Sequence, residues 1–213
     1  MKATIVFDNT TTRADLKSDW GFSCFVEAND KRILFDTGAN GDILLENMHK
    51  LKINPTSIDE VFISHDHFDH VGGLPAFLDT NNRVKIYLPP SLRGMQNAGG
   101  VVCLDRPTQI SDGLYSTGEL EGIEQAMAVK TKEGLIVFTG CSHPKMKNIL
   151  KATSQFGDIY GIIGGLHGFD QFDLFNDLKL ICATHCTRYK SEIKSRFPQQ
   201  HIEGGVGRII EVN

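Results

Sequence analysis

The chain of 213 residues lacks any long apolar run and any excess of positive charge. No stretch approaches the roughly 20 apolar residues that a membrane-spanning helix needs. The apolar part of the opening, MKATIVFDNTTTRADLK, is too short for a secretory signal. A formal charge of −4 disfavours a protein that mainly grips nucleic-acid phosphates. We therefore expect a cytoplasmic protein that binds neither membranes nor nucleic acid.

The chain also has few cysteines. Its five cysteines are odd in number and form no C-x-x-C pair, so a disulfide framework is not expected. Cys24 and Cys182 lie in apolar stretches and are expected to be small core residues, whereas Cys141 and Cys186 lie beside histidines in the sequence. No repeat, low-complexity tract or linker is visible, and the length suits a single domain over residues 1–213.

The apolar pattern predicts many short strands and few helices. ANDK is expected to join GFSCFVEA and KRILFDTG in a hairpin, and NGDILLENMHKLKI has helical spacing. PKMKNILKATSQF is expected to begin a helix with proline in its first turn, with more helix near 169–178 and 187–197. Further strands are predicted at ATIVF, EVFIS, RVKIYL, GVVCL, GLYSTG, QAMAVKT, GLIVFTG, IYGIIGG, KLICATH and RIIEV. Because strands follow one another directly in both halves, two face-to-face sheets with outer helices fit better than one doubly wound parallel sheet.

Six of the eight histidines follow apolar strands, and three of these lie in HDHFDH at 65–70. Side chains alternate along an extended segment, so His65, His67 and Asp69 are expected to converge, with His70 turned to a neighbouring point. Imidazole and carboxylate together suit zinc, iron or manganese. One loop cannot surround an ion, so other strand ends must complete the site. The candidates at those ends are Cys141, His143, His167 and His185.

The motif SHDHFDH resembles the H-x-H-x-D-H signature of the metallo-β-lactamase superfamily, and ILFDTG resembles the aspartate-bearing motif that precedes it. DN, WGFSCFVE, GCSHP, GGLHG and THCT resemble the dihydropterin-methyl-ribofuranosylaminobenzene-phosphate synthase-like subgroup over nearly the whole chain. The resemblance implies an α/β fold, a four-layer αβ/βα sandwich in which two mixed sheets pack face to face with helices outside.

The resemblance also implies two divalent metal ions, most often zinc, with iron or manganese as alternatives. The implied ligands are His65, His67 and His143 for the first ion, and Asp69, His70 and His185 for the second. Asp36 is expected to hold the histidines through hydrogen bonds without binding metal.

Two positions depart from the superfamily pattern. Cys141 takes the place of a bridging aspartate and is expected to lie beside the ions without binding them. The histidine that many members have before the FTG strand is missing, and Glu124 or Gln125 takes that region, so His143 is inferred as the substitute ligand. Cys186 is expected to face away from the site.

The reaction implied is metal-dependent hydrolysis of a small phosphate-bearing or cyclic ester substrate by an activated water. Asp69 is expected to orient that water, and His167 and Asn9 to contact the substrate, with His167 also assisting catalysis. A role for His167 as a seventh metal ligand is the alternative. Two alternatives stay open: a di-iron redox or oxygen-handling protein, which normally needs a flavin domain, and a non-catalytic metal-binding module. The expected partner is a small molecule, and a homo-oligomer is left open.

Overall fold

A computed structural model describes residues 1–92, 94 and 100–213. Within these residues the strands form two mixed sheets, which confirms the predicted two-sheet arrangement and excludes the doubly wound alternative. The seven-stranded sheet has the order β13-β1-β2-β3-β4-β5-β6. Its strands are β1 (Lys2–Phe7), β2 (Ser23–Ala28), β3 (Lys31–Phe35), β4 (Glu60–Phe62), β5 (Lys85–Leu88), β6 (Val101–Cys103) and β13 (Ile209–Glu211).

The six-stranded sheet has the order β12-β11-β10-β9-β8-β7. Its strands are β7 (Thr108–Ser111), β8 (Leu114–Ser116), β9 (Met127–Lys130), β10 (Leu135–Thr139), β11 (Ile159–Gly165) and β12 (Leu180–Thr184). The α-helices are α1 (Gly41–Lys50), α2 (Phe68–Val71), α3 (Leu74–Thr80), α4 (Met146–Thr153) and α5 (Lys190–Arg196). Short 3₁₀ turns cover Pro55–Ser57, Ser154–Phe156 and Phe172–Phe175. In the described part of the chain, no helix has the length and apolar character of a membrane span.

The directions of the strands bring several of their carboxyl ends to one edge of each sheet. In the seven-stranded sheet β3, β4 and β5 are parallel. β1 is antiparallel to β2, which is antiparallel to β3, so β1 runs the same way as β3. In the six-stranded sheet β10, β11 and β12 are parallel. Segments that leave these strands can therefore meet, although they are far apart in the sequence.

The core between the two sheets is rich in aromatic side chains. Phe35 stacks on Phe62 with ring centroids 5.6 Å apart, and it contacts Phe138 of the other sheet at 5.9 Å. All three are fully buried. Burial of such a side chain contributes roughly 1.5–3 kcal/mol, so this aromatic layer holds the two sheets together just beneath the edge where the strands end.

The helices cover the outer faces of the two sheets. Leu44 and Met48 of α1 are one turn apart and pack with Phe77 of α3 against the seven-stranded sheet. Ile149 of α4 and Ile193 of α5 are buried against the six-stranded sheet. The order of layers is therefore helix, sheet, sheet, helix, as expected.

The main local differences from the predictions lie in the helices. The hairpin between β2 and β3 is confirmed, but α2, α3 and β7 were not predicted. α4 begins at Met146, after its cap at Lys145, so the proline at 144 lies outside the helix, and α5 is shorter than 187–197. The predicted helix over 169–178 is wrong, because only Phe172–Phe175 forms a 3₁₀ turn. Four of its five large apolar residues, Phe169, Phe172, Phe175 and Leu178, recur every third position, which suits three residues per turn rather than 3.6.

Candidate metal centre

Segments that follow the carboxyl ends of strands from both sheets meet at one edge of the sandwich. Four residues there, each close to the end of a strand, have left-handed backbone with positive φ, which non-glycine residues seldom adopt. Such strain tends to concentrate at functional sites. The four residues are Asp36 (53°), Ser142 (61°), His167 (43°) and His185 (50°).

Three histidines form the first group of potential ligands. His67 Nδ1 lies 3.0 Å from His65 Nε2 and 3.2 Å from His143 Nε2. Nitrogens bound at about 2 Å to one tetrahedral zinc lie about 3.3 Å from one another. The observed spacing of these three nitrogens therefore fits a single ion.

The chemical state of this group also suits metal binding. Ser64 Oγ donates to Asp36 Oδ2 at 2.7 Å, so it accepts from His65 Nδ1 at 2.9 Å and leaves His65 Nε2 facing the group. Burial and the neighbouring imidazoles lower the pKa of His65 well below its usual range, and they lower the pKa of His143 to about 4. Both imidazoles are therefore neutral at physiological pH, as metal ligands must be.

Asp69, His70 and His185 form the second group. Asp69 Oδ2 lies 3.3 Å from His185 Nε2 and 3.8 Å from His70 Nε2. Burial raises the pKa of Asp69, but contacts with His185 and His70 outweigh it and bring the pKa to about 2. The side chain of Asp69 is therefore a carboxylate at neutral pH.

Hydrogen bonds set the orientation of both histidines in the second group. His70 Nδ1 donates to Asp36 Oδ2 at 2.7 Å, and His185 Nδ1 donates to Asn9 Oδ1 at 3.0 Å. Burial disfavours a charged His70, but the Asp36 carboxylate outweighs burial and raises the pKa of His70. His185 is 3% exposed, and its Nε2 makes no hydrogen bond among the described residues beyond the 3.3 Å contact with the Asp69 carboxylate. A buried nitrogen in that position fits a metal ligand, so the donor set of the second group suits a second divalent cation.

The expectation that Asp69 converges with His65 and His67, which was based on the alternation of side chains along an extended segment, is wrong. Asp69 groups with His70 and His185 instead of His65 and His67. The reason is that α2 begins directly after His67, so extended geometry ends there and helical geometry takes over. The grouping observed is the one that the resemblance implied.

A buried carboxylate organises the segment that carries His143. Glu124 Oε1 accepts the backbone N–H groups of Gly140, Cys141 and Ser142 at 2.9, 3.1 and 3.1 Å, and its Oε2 accepts that of His143 at 2.9 Å. From the sequence, either Glu124 or Gln125 could take the place of the histidine that is missing before the FTG strand. Gln125 points elsewhere, since its Nε2 donates to the backbone oxygen of residue 63 at 2.8 Å.

A family model described as the metallo-β-lactamase superfamily matches residues 21–148, from just before β2 into α4. The chain belongs to the metallo-β-lactamase superfamily. Within it, the chain is 28% identical to the 7,8-dihydropterin-6-methyl-4-(beta-D-ribofuranosyl)-aminobenzene-5'-phosphate synthase of Methanocaldococcus jannaschii, over 82% of this chain and 83% of the relative.

Solved structures of the superfamily show the same architecture. Tm1679, described as a metal-dependent hydrolase of the β-lactamase superfamily, has a TM-score of 0.82 and 26% identity, covering 100% of this chain and 99% of that one. The short form of human tRNase Z has a TM-score of 0.64 and 17% identity with full coverage of both chains, a likeness that concerns the fold alone.

Cys141 and Cys186 both lie beside the candidate ligands. Cys141 Sγ lies 3.2 Å from His70 Nε2. The expectation that Cys186 faces away is wrong, because its sulfur lies within 4.8 Å of ligand atoms of Cys141 and His185. Glycine at 165 makes room for it, since a Cβ there would lie 2.8 Å from Cys186 Sγ.

Asn9 is hydrogen-bonded to the segment that carries His185. Its Oδ1 accepts from His185 Nδ1 and from Gly21 N, and its Nδ2 donates to the His185 backbone oxygen at 3.2 Å. Asn9 therefore orients a candidate ligand in this structure. The sequence analysis missed its neighbour Asp8, which accepts the His185 backbone N–H at 2.9 Å and hydrogen-bonds Thr184 Oγ1. The only sequence signal was the pair DN directly after the first strand.

The mouth of the site is lined by imidazole, lysine and aromatic side chains. His167 is exposed, and its ring centroid lies 5.1 Å from that of His143. Both histidines line a cavity of about 530 Å³ together with Lys145 and Lys147. Beside the second group of ligands, the half-exposed Trp20 lies 5.2 Å from the His185 ring. The sequence analysis did not single out Trp20.

Proposed function

We propose that this protein is a metal-dependent hydrolase that cleaves a small phosphate-bearing or cyclic ester substrate. The observation that carries the proposal is the pair of adjacent ligand groups at one solvent-accessible edge, with their nitrogens pre-oriented by hydrogen bonds. Two divalent cations bound there would act as Lewis acids and lower the pKa of a shared water.

Each group would hold one cation, and zinc is the metal we propose. The first set of ligands is His65, His67 and His143, and the second is Asp69, His70 and His185. Asp36 would support the second set through His70 and the first set through Ser64.

The carboxylate and the outer histidine would have separate catalytic roles. Asp69 is ionised at neutral pH, so it can accept a hydrogen bond from the attacking water and orient it. His167 lies at the mouth beside His143, where it can contact the substrate and donate a proton to the leaving group. The exposure of His67 and His167 disfavours a closed, non-catalytic metal module, which would surround its ion with protein.

The lining of the mouth supports a small anionic substrate. Lys145 and Lys147 are exposed beside the cavity that His143 and His167 line, and they can attract a phosphate or carboxylate. The name of the relative from M. jannaschii contains a 5'-phosphate. The net charge of −4 makes a nucleic-acid partner less suitable than a small molecule. We further propose that the chain acts in the cytoplasm and as one domain.

The test is turnover by purified protein that has been stripped of metal and reloaded with zinc or manganese. Bis(para-nitrophenyl) phosphate, para-nitrophenyl phosphate and a lactone represent the three ester classes. We expect turnover of at least one by the wild type, loss in His67→Ala, and no change in His49→Ala, whose histidine lies in α1 away from the site. Wild-type rates no higher than those of His67→Ala on all three substrates would refute the proposal.

A further inference from the structure

We infer that Cys141 is itself a metal ligand, a thiolate shared by the two cation positions. It would thus take over the bridging role that an aspartate has in many superfamily members. The inference rests on the two-cation site proposed above, but it goes further, because it changes the chemistry of the ligand set.

The position of the sulfur is the first argument. Cys141 forms one potential metal-binding group with His65 and His70, and another with His185 and Cys186, with ligand atoms within 4.8 Å in each. His65 belongs to the first set of ligands, whereas His70 and His185 belong to the second. The sulfur of Cys141 therefore lies between the two sets, where a shared ligand must be.

The distances are compatible with coordination of a common ion. Cys141 Sγ lies 3.2 Å from His70 Nε2. A sulfur and a nitrogen bound to one tetrahedral zinc lie about 3.6 Å apart. A shift of a few tenths of an ångström on metal binding would bring the two atoms to that separation.

The surroundings of Cys141 are polar, unlike those of a cysteine in an apolar core. Cys141 is 4% exposed, and its backbone N–H is fixed by the Glu124 carboxylate at 3.1 Å. The buried His185 Nε2 has a 3.3 Å contact with Asp69 Oδ2 but no hydrogen bond among the described residues, which is a second sign of a ligand here. By contrast, Cys182 lies in the apolar layer between the sheets.

Cys186 is the competing sulfur ligand, and its position makes it the weaker candidate. It groups only with Cys141 and His185, so it approaches the second set alone. Its sulfur lies 3.9 Å from the Cys141 backbone oxygen, on the side of β11 and Gly165. We therefore assign the sulfur ligand to Cys141 alone, because Cys186 does not approach both sets.

A thiolate in the shared position predicts a different metal preference from a carboxylate. Thiolate sulfur is a soft ligand that suits zinc, cobalt and cadmium, whereas carboxylate oxygen suits manganese and magnesium. On binding, the S–H bond breaks, the sulfur keeps the electron pair and bonds to metal, and the proton passes to solvent.

The first experiment is a cobalt(II) titration of the metal-free protein, followed by absorption and without measuring turnover. The wild type is expected to bind two equivalents and to show the near-ultraviolet charge-transfer band of a thiolate bound to cobalt. Cys141→Ser should lose that band, whereas Cys103→Ser, which removes an exposed thiol on β6, should keep it. Cys141→Asp should bind two equivalents without the band, and matching urea midpoints would show that the variants are folded.

Each result bears on the inference separately from the proposed function. A band retained in Cys141→Ser, or lost only in Cys186→Ser, would overturn the inference, as would two bound equivalents in the wild type without a band. A wild type that binds no cobalt would overturn the two-cation site as well. Cadmium NMR tests whether the two cations share the sulfur of Cys141. Both cadmium resonances of the wild type should lie downfield of those of Cys141→Asp. If only one resonance were displaced, the shared position would be wrong, and if neither were displaced, Cys141 would not be a ligand.

Discussion

Replacing Glu124 by glutamine should loosen the segment that carries Cys141 and His143. The carboxylate is 1% exposed and accepts four backbone N–H groups, three on Oε1 and one, from His143, on Oε2. The amide of Glu124→Gln keeps one oxygen acceptor but places an NH₂ group in the other position. The NH₂ group would then face the His143 N–H, donor against donor, at about the 2.9 Å of the present bond.

The size of the effect follows from the number of bonds affected. One buried N–H left without an acceptor costs about 1–3 kcal/mol, and hydrogen bonds to a neutral acceptor are roughly half as strong as those to a charged one. Removing a buried charge offsets part of this loss, because burial raises the pKa of Glu124 and so disfavours its ionised form. We expect a net loss of about 2–3 kcal/mol in the free energy of unfolding, or about 4–12 °C in Tm for a chain of this length.

Urea unfolding of metal-free protein measures the change, and cobalt titration measures its consequence at the site. The cation held by His143 should bind more weakly, whereas the one held by Asp69 and His70 should be affected less. Glu121→Gln is the matched control: Glu121 is exposed and accepts from Lys145 N and Asn148 Nδ2, which an amide oxygen can also do. That variant should stay within about 0.5 kcal/mol of the wild type. If Glu124→Gln did the same, with unchanged cobalt binding, the anchoring role assigned to Glu124 would be wrong.

Three further predictions concern the second set of ligands and the mouth. Asp36→Asn should weaken zinc binding about 10–100-fold, because Oδ1 accepts from Ser64 N while Oδ2 accepts from Ser64 Oγ and His70 Nδ1, and an amide has an acceptor in only one of these two positions. Competition with a chromophoric chelator measures this, and the exposed Asp42→Asn should match the wild type. The lowered pKa of Asp69 contributes stability above its unfolded value near 3.8, and that stability is lost as the pH falls toward about 2. Urea unfolding of metal-free protein between neutral and acid pH should therefore show a loss of free energy of unfolding that is about 1–2 kcal/mol smaller in Asp69→Asn than in the wild type, after allowance for solvent screening. An equal pH dependence of the free energy of unfolding in both proteins would contradict the lowered pKa assigned to Asp69. Trp20→Ala should raise KM about 3–10-fold for aromatic esters at unchanged kcat, since a ring stacked on the substrate contributes roughly 0.5–1.5 kcal/mol. The control is Ile209→Ala, which changes an exposed apolar residue on β13. A fall in kcat alone would argue against a role of Trp20 in substrate binding.

The sequence by itself determined the layers of the fold and the types of side chain gathered at the candidate site. Short apolar strands predicted two sheets, and the ends of those strands carried most of the histidines. These are local signals, because the alternation of a strand and the residue types at its end are both readable over a few positions. Prediction from local patterns failed where the backbone geometry changes within a motif. At α2 the chain becomes helical directly after His67, so Asp69 lies beside His185 and not beside His67.

Only the tertiary structure decided which polar residues support the ligands. Asn9 reaches His185, Asp36 reaches His70, and Glu124 reaches the backbone of His143, over separations of 19 to 176 residues. No periodicity encodes such pairings, since they depend on which strands become neighbours and on the direction in which each one runs. The inward position of Cys186 likewise depends on the glycine at 165 in the adjacent strand, a neighbour that only strand pairing creates.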